Sequence, residues 1–117
     1  MNRKGRLGQR GEEIAARFLE ANGYRLREKN YRCSFGEIDL IATTDEYLVF
    51  IEVKTRTGKN SPHPSLSVTG KKQAKVRQIG EYYRSLNPLV VLQPRFDVIS
   101  VMVEGEQERV EHLVNAF

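Results

Sequence analysis

The sequence has a single cysteine and no long apolar run, and each shortage excludes a class of protein. Because Cys33 has no second cysteine to pair with, an internal disulfide and a cysteine-based zinc site are excluded. No apolar run approaches the roughly 20 residues that a membrane-spanning helix needs, so no membrane partner is expected. The basic residues 1–10 are not followed by the apolar stretch of a secretory signal, and the expected compartment is therefore the cytoplasm.

Acidic residues are absent from two stretches of the chain. Residues 1–11 and 53–80 contain none, whereas the chain after Arg95 is mainly acidic. The net charge of +4 is modest, so it is the separation of the charges that predicts a basic side and favours nucleic acid, DNA above all, as a partner. A solvated basic surface is the alternative interpretation. The basic residues expected to meet phosphate are Arg6, Arg10, Arg56, Lys59, Lys71, Lys72 and Lys75.

The length of 117 residues predicts one domain, residues 1–117. Hydrophobic periodicity predicts helices over residues 7–21 and 69–86, and strands over 24–32, 36–43, 47–55 and 95–103. Residues 110–114 are a candidate for a short last strand. Residues 56–68 are predicted to form a mobile loop, because Gly, Asn, Ser and Pro recur there.

The two central strands are apolar on both faces. One face is predicted to carry Ile38, Leu40, Ala42, Val49, Ile51 and Val53, and the other Ile41, Leu48 and Phe50. A sheet that is covered on both sides needs helices on both sides. The predicted fold class is therefore α/β, a layered architecture in the order αβββαβ.

The tight connection at residues 44–46 predicts an antiparallel hairpin whose register can be worked out. If the turn is centred on Asp45 and Glu46, paired residue numbers sum to about 91. Asp39 then lies opposite Glu52, and Glu37 lies opposite Lys54, all four on one face. Two opposed carboxylates repel each other unless a cation lies between them or one is protonated.

Opposed carboxylates beside a lysine are typical of a site for Mg²⁺ or Mn²⁺, which prefer oxygen ligands and complete their shells with water and substrate phosphate. Lys54 is placed to hold a water or to offset charge on a phosphate. Glu12 lies at the edge of the apolar stripe of the first helix and could supply a further oxygen. A simple Glu37–Lys54 ion pair and a solvated strand end remain the structural alternatives.

Several motifs resemble those of the bacterial YraN-like family, which is itself similar to archaeal Holliday junction resolvases in the PD-(D/E)xK nuclease superfamily. The motifs are G-x-x-G-E-x-x-A from Gly8, G-E-I-D-L-I from Gly36, F-I-E-V-K-T-R from Phe50 and R-F-D-V from Arg95. The resemblance implies a restriction-endonuclease-like core, with a mixed sheet flanked by helices. It also implies Mg²⁺ or Mn²⁺, a phosphodiester substrate and the homodimer that resolvases form.

Carried over residue by residue, the superfamily's helical acid falls on Glu12, its aspartate on Asp39 and its E-x-K pair on Glu52 and Lys54. These are the positions that the register argument reaches independently. The proline that precedes the aspartate in the superfamily is replaced by Ile38.

Weaker candidates lie outside this cluster. Gln78 and Tyr82 match a pattern found beside the site in some recombination nucleases of the superfamily, but both residue types are common on helices and a surface position is the favoured interpretation. Asp97 either approaches the site or closes an ion pair with Arg95, and His112 is expected on a strand surface.

The function that these observations predict is a metal-dependent endonuclease, in which a water activated by the metal attacks a phosphodiester in branched or single-stranded DNA. A non-catalytic nucleic-acid-binding module on the same fold is the alternative. A third possibility is an adaptor whose acidic C-terminal side binds a protein partner.

Overall fold

The computed structural model describes residues 5–57 and 69–117. It contains two helices and five strands, in the order αβββαββ. These are α1 (Arg6–Ala21), β1 (Arg25–Cys33), β2 (Gly36–Thr43), β3 (Tyr47–Arg56), α2 (Gly70–Leu86), β4 (Gln93–Glu104) and β5 (Gln107–Leu113). In this part of the chain, neither helix has the length and apolar content needed to span a membrane.

The five strands form one mixed sheet in the order β1-β2-β3-β4-β5. Three of the strand pairs are antiparallel, and β3 and β4 are parallel because α2 carries the chain back between them. The predicted α/β class is confirmed, and the arrangement fits a restriction-endonuclease-like core. The last strand is longer than expected, since all seven residues of β5 pair with β4.

The two helices cover opposite faces of the sheet. On one face, α1 packs Ile14, Ala15 and Leu19 against an apolar cluster that includes Leu40 and Ile51. On the other face, α2 packs against a second apolar cluster. Its buried members are Ile38, Ile41, Leu48, Phe50, Val76, Ile79, Tyr83 and Phe96. We call these two faces the α1 face and the α2 face.

The ends of both helices are set by local hydrogen bonds. The Thr69 hydroxyl accepts a hydrogen bond from the backbone N–H of Lys72 and so begins α2. Asn22 ends α1 with its side-chain amide donating to the carbonyl oxygen of Phe18, and Gly23 then takes a positive φ of 88°. The Thr69 hydrogen bond fixes where the first turn of α2, which carries Lys72, begins.

The predicted hairpin register is confirmed in four pairs, from Thr43↔Leu48 to Leu40↔Ile51. The Thr44 hydroxyl supports this turn by accepting a hydrogen bond from the backbone N–H of Tyr47. The pairing of β2 with β3 ends at Leu40↔Ile51, so the predicted ladder pairs of Asp39 with Glu52 and of Glu37 with Lys54 do not form.

The prediction that Ile38 shares a face with Leu40 was wrong. Ile38 packs on the α2 face and Leu40 on the α1 face, so strict alternation is interrupted at Asp39. The β1 residue opposite this point is Asn30, which has a positive φ of 52° and belongs to no ladder pair. The irregular backbone there breaks the two-residue period.

Arg56 was predicted to begin the loop but is the last residue of β3. It pairs with Met102 of β4, so the parallel ladder continues beyond the predicted strand end. Most of the predicted mobile loop, including Lys59, lies outside the described residues.

Candidate active site

Two acidic side chains are buried where β2 and β3 stop pairing. Asp39 is 6% exposed and Glu52 is 5% exposed. An Asp39 carboxylate oxygen accepts a hydrogen bond from the backbone N–H of Val53 at 2.7 Å. The carboxylate of Asp39 therefore fills the gap between the two strands, and it satisfies a donor that the interrupted ladder would otherwise leave unpaired.

The two carboxylates affect each other electrostatically. Burial raises the pKa of Glu52 above its ordinary value, and the negative charge of Asp39 raises it further. Lys72 and Lys54 act in the opposite direction without cancelling the shift. The repulsion that the sequence predicted between these acids is therefore present, although the residues are not a ladder pair.

Two lysines complete this cluster. Lys72 extends from the first turn of α2, and its Nζ lies 3.1 Å from a carboxylate oxygen of Glu52. Burial and a hydrogen bond from the Lys72 ammonium lower the pKa of Lys54. Burial alone would lower the pKa of Lys72, but the charge of Glu52 outweighs it and the net shift is upward. Lys72 therefore forms a direct ion pair with Glu52, and Lys54 is the more easily deprotonated lysine.

The role of Lys72 beside Glu52 was missed in the sequence, where Lys72 was assigned to phosphate with Lys71. Lys72, Val76, Ile79 and Tyr83 are spaced by four, three and four residues, which is the spacing of one helical face. Since the last three are buried against the sheet, the same face directs Lys72 inward. This periodicity was the signal that could have found it.

Arg56 lies on the same face of β3, two residues beyond Lys54. One of its terminal nitrogens donates a hydrogen bond to the hydroxyl of Ser100 at 3.1 Å. Its Nε and Nη1 are buried and, within residues 5–57 and 69–117, have no hydrogen-bond partner. Buried donors of a charged group are costly when unpaired, so this guanidinium has unused capacity to bind an anion.

Glu12 was expected at the edge of the apolar stripe of α1; it is buried there, on the α1 face and therefore on the other side of the sheet from Glu52. It is 8% exposed and lines a cavity of about 190 Å³ with Asn30 and Leu40. Gly11 allows α1 to approach β3 closely, because a Cβ atom there would collide with the side chain of Thr55. Among the described residues, no three acidic, histidine or cysteine side chains are grouped closely enough to hold a metal, so Glu12 does not join Asp39 and Glu52 in such a group.

The remaining candidates are separate from the acid pair. Glu37 forms an ion pair with Arg32, at 3.3 Å between Oε2 and Nε, rather than with Lys54. Gln78 is exposed, and Tyr82 is 36% exposed and contacts the ring of Phe35 edge-on. The other basic candidates that the structure describes are all exposed: Arg6 and Arg10 on α1, and Lys71 and Lys75 on α2.

Asp97 does not approach the site. It is fully buried on the α1 face, where its carboxylate accepts hydrogen bonds from Arg95 and from the backbone N–H of Asn115. The ion-pair interpretation is confirmed, with an Nη2–Oδ2 distance of 2.7 Å. His112 was expected on the surface of a strand, and this was wrong. Its side chain is only 11% exposed, and its Nε2 lies 2.7 Å from the same carboxylate.

The donor set suits a hard cation that keeps part of its water shell. Mg²⁺ is commonly held by one or two carboxylates together with waters and substrate phosphates, and Asp39 and Glu52 supply two. Lys72 already contributes one positive charge to this pair, so a divalent ion would have to displace or share its contact with Glu52.

A sequence model of the Uncharacterised protein family UPF0102 matches residues 11–101, which include Asp39, Glu52, Lys54 and Lys72. The chain belongs to this family. The YraN-like resemblance is confirmed, because YraN belongs to the same family.

The UPF0102 relatives resemble the chain over almost its whole length. The UPF0102 protein of Caldanaerobacter subterraneus is 45% identical over 114 residues, covering 95% of this chain and 93% of the relative. That of Pelobacter propionicus is 45% identical, covering 94% and 81%. That of Syntrophomonas wolfei is 37% identical over 117 residues and covers both chains completely.

A solved structure, SfsA of Pyrococcus furiosus in complex with Ca²⁺, is a more distant neighbour. It is 13% identical with a TM-score of 0.35, and the alignment covers 91% of this chain. The chain spans 61% of the length of that protein.

Proposed function

We propose that this protein is a metal-dependent nuclease that hydrolyses phosphodiester bonds of DNA, with branched or single-stranded DNA as the preferred substrate. The observation that carries the proposal is the burial of Asp39 and Glu52 together, beside Lys54, where β2 and β3 separate. Mutual repulsion and desolvation both disfavour two charged carboxylates at one buried position. A divalent cation bound by both carboxylates would offset their repulsion, and an unfavourable local arrangement of this kind is expected at a functional site.

Each residue of the cluster has a role that its position supports. Asp39 and Glu52 would hold Mg²⁺ or Mn²⁺, and the ion would supply activation of a water and neutralisation of phosphate charge. Lys54 lies beside the acids, where its amine can orient the attacking water or stabilise the negative charge that develops on the phosphate. Arg56 would bind a phosphate oxygen with the buried donors that lack a partner in the described chain.

A cleavage assay tests the proposal. Labelled single-stranded, duplex, flap and four-way-junction DNAs would be incubated with Mg²⁺, Mn²⁺ or EDTA. We expect metal-dependent products that Glu52→Gln and Lys54→Ala abolish. Glu104→Gln, which changes an exposed acid at the end of β4, is the matched control and should cleave like the wild type. Products that persist in EDTA or in Lys54→Ala would contradict the proposed chemistry.

A non-catalytic DNA-binding module is the second candidate, and the Lys72–Glu52 ion pair favours it. This contact balances the charge of Glu52 without a metal, and the exposed lysines of α2 suffice to bind phosphate. Binding by such a module would weaken steeply with salt and would be the same in Mg²⁺ and in EDTA. Absence of products together with metal-independent junction binding would decide for this candidate.

A further inference from the structure

An open cavity of about 320 Å³ adjoins the acid cluster on the α2 face. Lys72 belongs to both, because it lines the cavity and contacts Glu52. The cavity lies between the turn that joins β1 to β2 and the first turns of α2. Its other lining residues include Phe35, Glu37, Lys71 and Lys75.

Phe35 is an exposed aromatic residue in a well-defined position. It lies in the two-residue connection between Cys33 and Gly36, which are themselves a ladder pair. The ring is 37% exposed, and the ring of Tyr82 meets it edge-on with 5.7 Å between the centroids. The short turn and the Tyr82 contact together hold an aromatic surface at the edge of the cavity.

Positive charge follows the same edge of α2. Lys71, Lys75 and Tyr82 are spaced by four and seven residues, so they form one stripe along the helix. The carboxylate of Glu37 also lines the cavity and would repel phosphate, but its ion pair with Arg32 at 3.3 Å offsets that charge. An exposed aromatic ring beside a track of lysines is the combination that proteins use to bind single-stranded nucleic acids.

We propose that this cavity binds an unpaired nucleotide, whose base stacks on Phe35 and whose neighbouring phosphates contact Lys71 and Lys75. The inference rests on the proposed nuclease function, because the cavity would bind the DNA strand that continues to Asp39 and Glu52. A base within a duplex is stacked on both sides and cannot lie against Phe35. The cavity therefore selects single strands and the unpaired positions of branched DNA.

A binding experiment separates stacking from phosphate contact. The probe is a fluorescein-labelled oligothymidylate of about 12 nucleotides, compared with an abasic oligomer of the same length, by fluorescence anisotropy in EDTA. We expect Phe35→Leu to weaken binding of the oligothymidylate about tenfold, as loss of one base–aromatic stack does. Phe35→Trp should retain the affinity, because it keeps an aromatic face. Neither substitution should change binding of the abasic oligomer.

Leu89→Ala is the matched control, because Leu89 is 93% exposed and lies in the connection between α2 and β4, outside the cavity. Thermal melting of each variant verifies that it is folded. Unchanged oligothymidylate binding by Phe35→Leu, or an equal loss on both oligomers, would overturn the inference.

The same variants separate this inference from the proposed function. Base-dependent binding without metal-dependent cleavage would support the nucleotide site and reject the nuclease. Cleavage of a single strand by Phe35→Leu at the wild-type rate, with unchanged affinity, would support the nuclease and reject the nucleotide site.

Discussion

At the scale of single residues, Asp39 combines a structural and a chemical role. Its carboxylate accepts the backbone N–H of Val53 and at the same time places a negative charge near Glu52. An amide in the same position keeps the acceptor and loses the charge, whereas a methyl group loses both. The two substitutions therefore separate the roles.

We expect Asp39→Asn to stay within about 1 kcal/mol of the wild-type stability, because its side-chain oxygen still accepts the hydrogen bond from Val53. Asp39→Ala should lose about 2 kcal/mol, since it leaves a buried donor unpaired. Both variants should lose metal-dependent cleavage. Urea denaturation measures the stabilities, and equal destabilisation by Asn and Ala would show that the hydrogen bond is not what holds β3 there.

Lys72 provides a second residue-scale prediction. Because its ammonium lies 3.1 Å from Glu52, it opposes the approach of a divalent cation to the acids. We expect Lys72→Gln to bind Mn²⁺ about tenfold more tightly, a value reduced from the full Coulomb term because Lys72 is partly exposed. Titration followed by electron paramagnetic resonance measures free Mn²⁺.

The control for this experiment is Lys71→Gln, which removes an exposed lysine one residue away. It should leave the Mn²⁺ affinity unchanged. Weaker binding by Lys72→Gln, or the same gain in both variants, would contradict the view that Lys72 competes with the ion.

The sequence predicted most of this site and missed part of it, for physical reasons. Asp39, Glu52 and Lys54 were found because strand alternation and hairpin register bring them together at one end of the sheet. Their predicted ladder pairing was wrong because strand alternation assumes a regular strand, whereas β2 is irregular at Asp39, opposite Asn30 and its positive φ. Phe35, which lines the proposed nucleotide site, was not singled out, because a single aromatic in a turn has no periodicity to mark it.

At the scale of elements, the contact between α1 and β3 depends on Gly11. A glycine inside a helix normally costs about 1 kcal/mol relative to alanine. Here the missing Cβ leaves room for Thr55, which follows Lys54 on β3. The position of α1 against the strand that carries the site is therefore set by a close backbone approach.

We expect Gly11→Ala to destabilise the protein by about 2 kcal/mol instead of stabilising it, because the added Cβ overpacks the contact with Thr55. Thr55→Ala removes two of the three colliding atoms. The double variant should therefore lose less unfolding free energy than the two single variants lose in sum. Urea denaturation of the four proteins measures this coupling. A Gly11→Ala variant that is more stable than the wild type would contradict the packing argument.

All elements except β5 were predicted to within about two residues of their observed bounds, and β5 was expected only as a shorter strand over residues 110–114. The helices and the two central strands were found within about two residues of their bounds, because each buries a regular set of apolar side chains. β5 has the sequence Gln-Glu-Arg-Val-Glu-His-Leu and is largely exposed at the sheet edge. Its strand conformation comes from pairing with β4, which local sequence does not encode.

At the scale of the whole molecule, the two faces of the sheet hold two different ionic clusters. On the α2 face, Asp39 and Glu52 repel each other and Arg56 has unpaired donors in the described chain. On the α1 face, Asp97 is surrounded by donors from Arg95, His112 and Asn115. The first cluster lowers the stability of the fold and leaves charge and donors available for binding. In the second cluster both oxygens of Asp97 accept hydrogen bonds, so it stabilises the fold.

The Asp97 cluster joins distant parts of the chain. Arg95 donates to the hydroxyl of Tyr24, before β1, and Asn115 brings the end of the chain onto β4. Burial raises the pKa of Asp97, but the hydrogen bonds from His112, Arg95 and Asn115 outweigh it, so the net shift is below the ordinary carboxyl value. A carboxyl group with a lowered pKa in the folded state contributes stability above its unfolded pKa of about 3.9. That contribution is lost as the pH falls through the folded value.

We expect Asp97→Asn to lower the free energy of unfolding by about 3 kcal/mol at pH 7, because it leaves the largely buried Arg95 charge without its counter-ion. The difference from the wild type should shrink as the pH falls below about 4, where the wild-type carboxyl loses its own advantage. Urea denaturation between pH 7 and acid pH measures this difference in unfolding free energy. A difference that does not change with pH would exclude the charge of Asp97 as its cause. Because the site lies on the opposite face, folded Asp97→Asn protein should cleave DNA like the wild type, so the variant separates stability from activity.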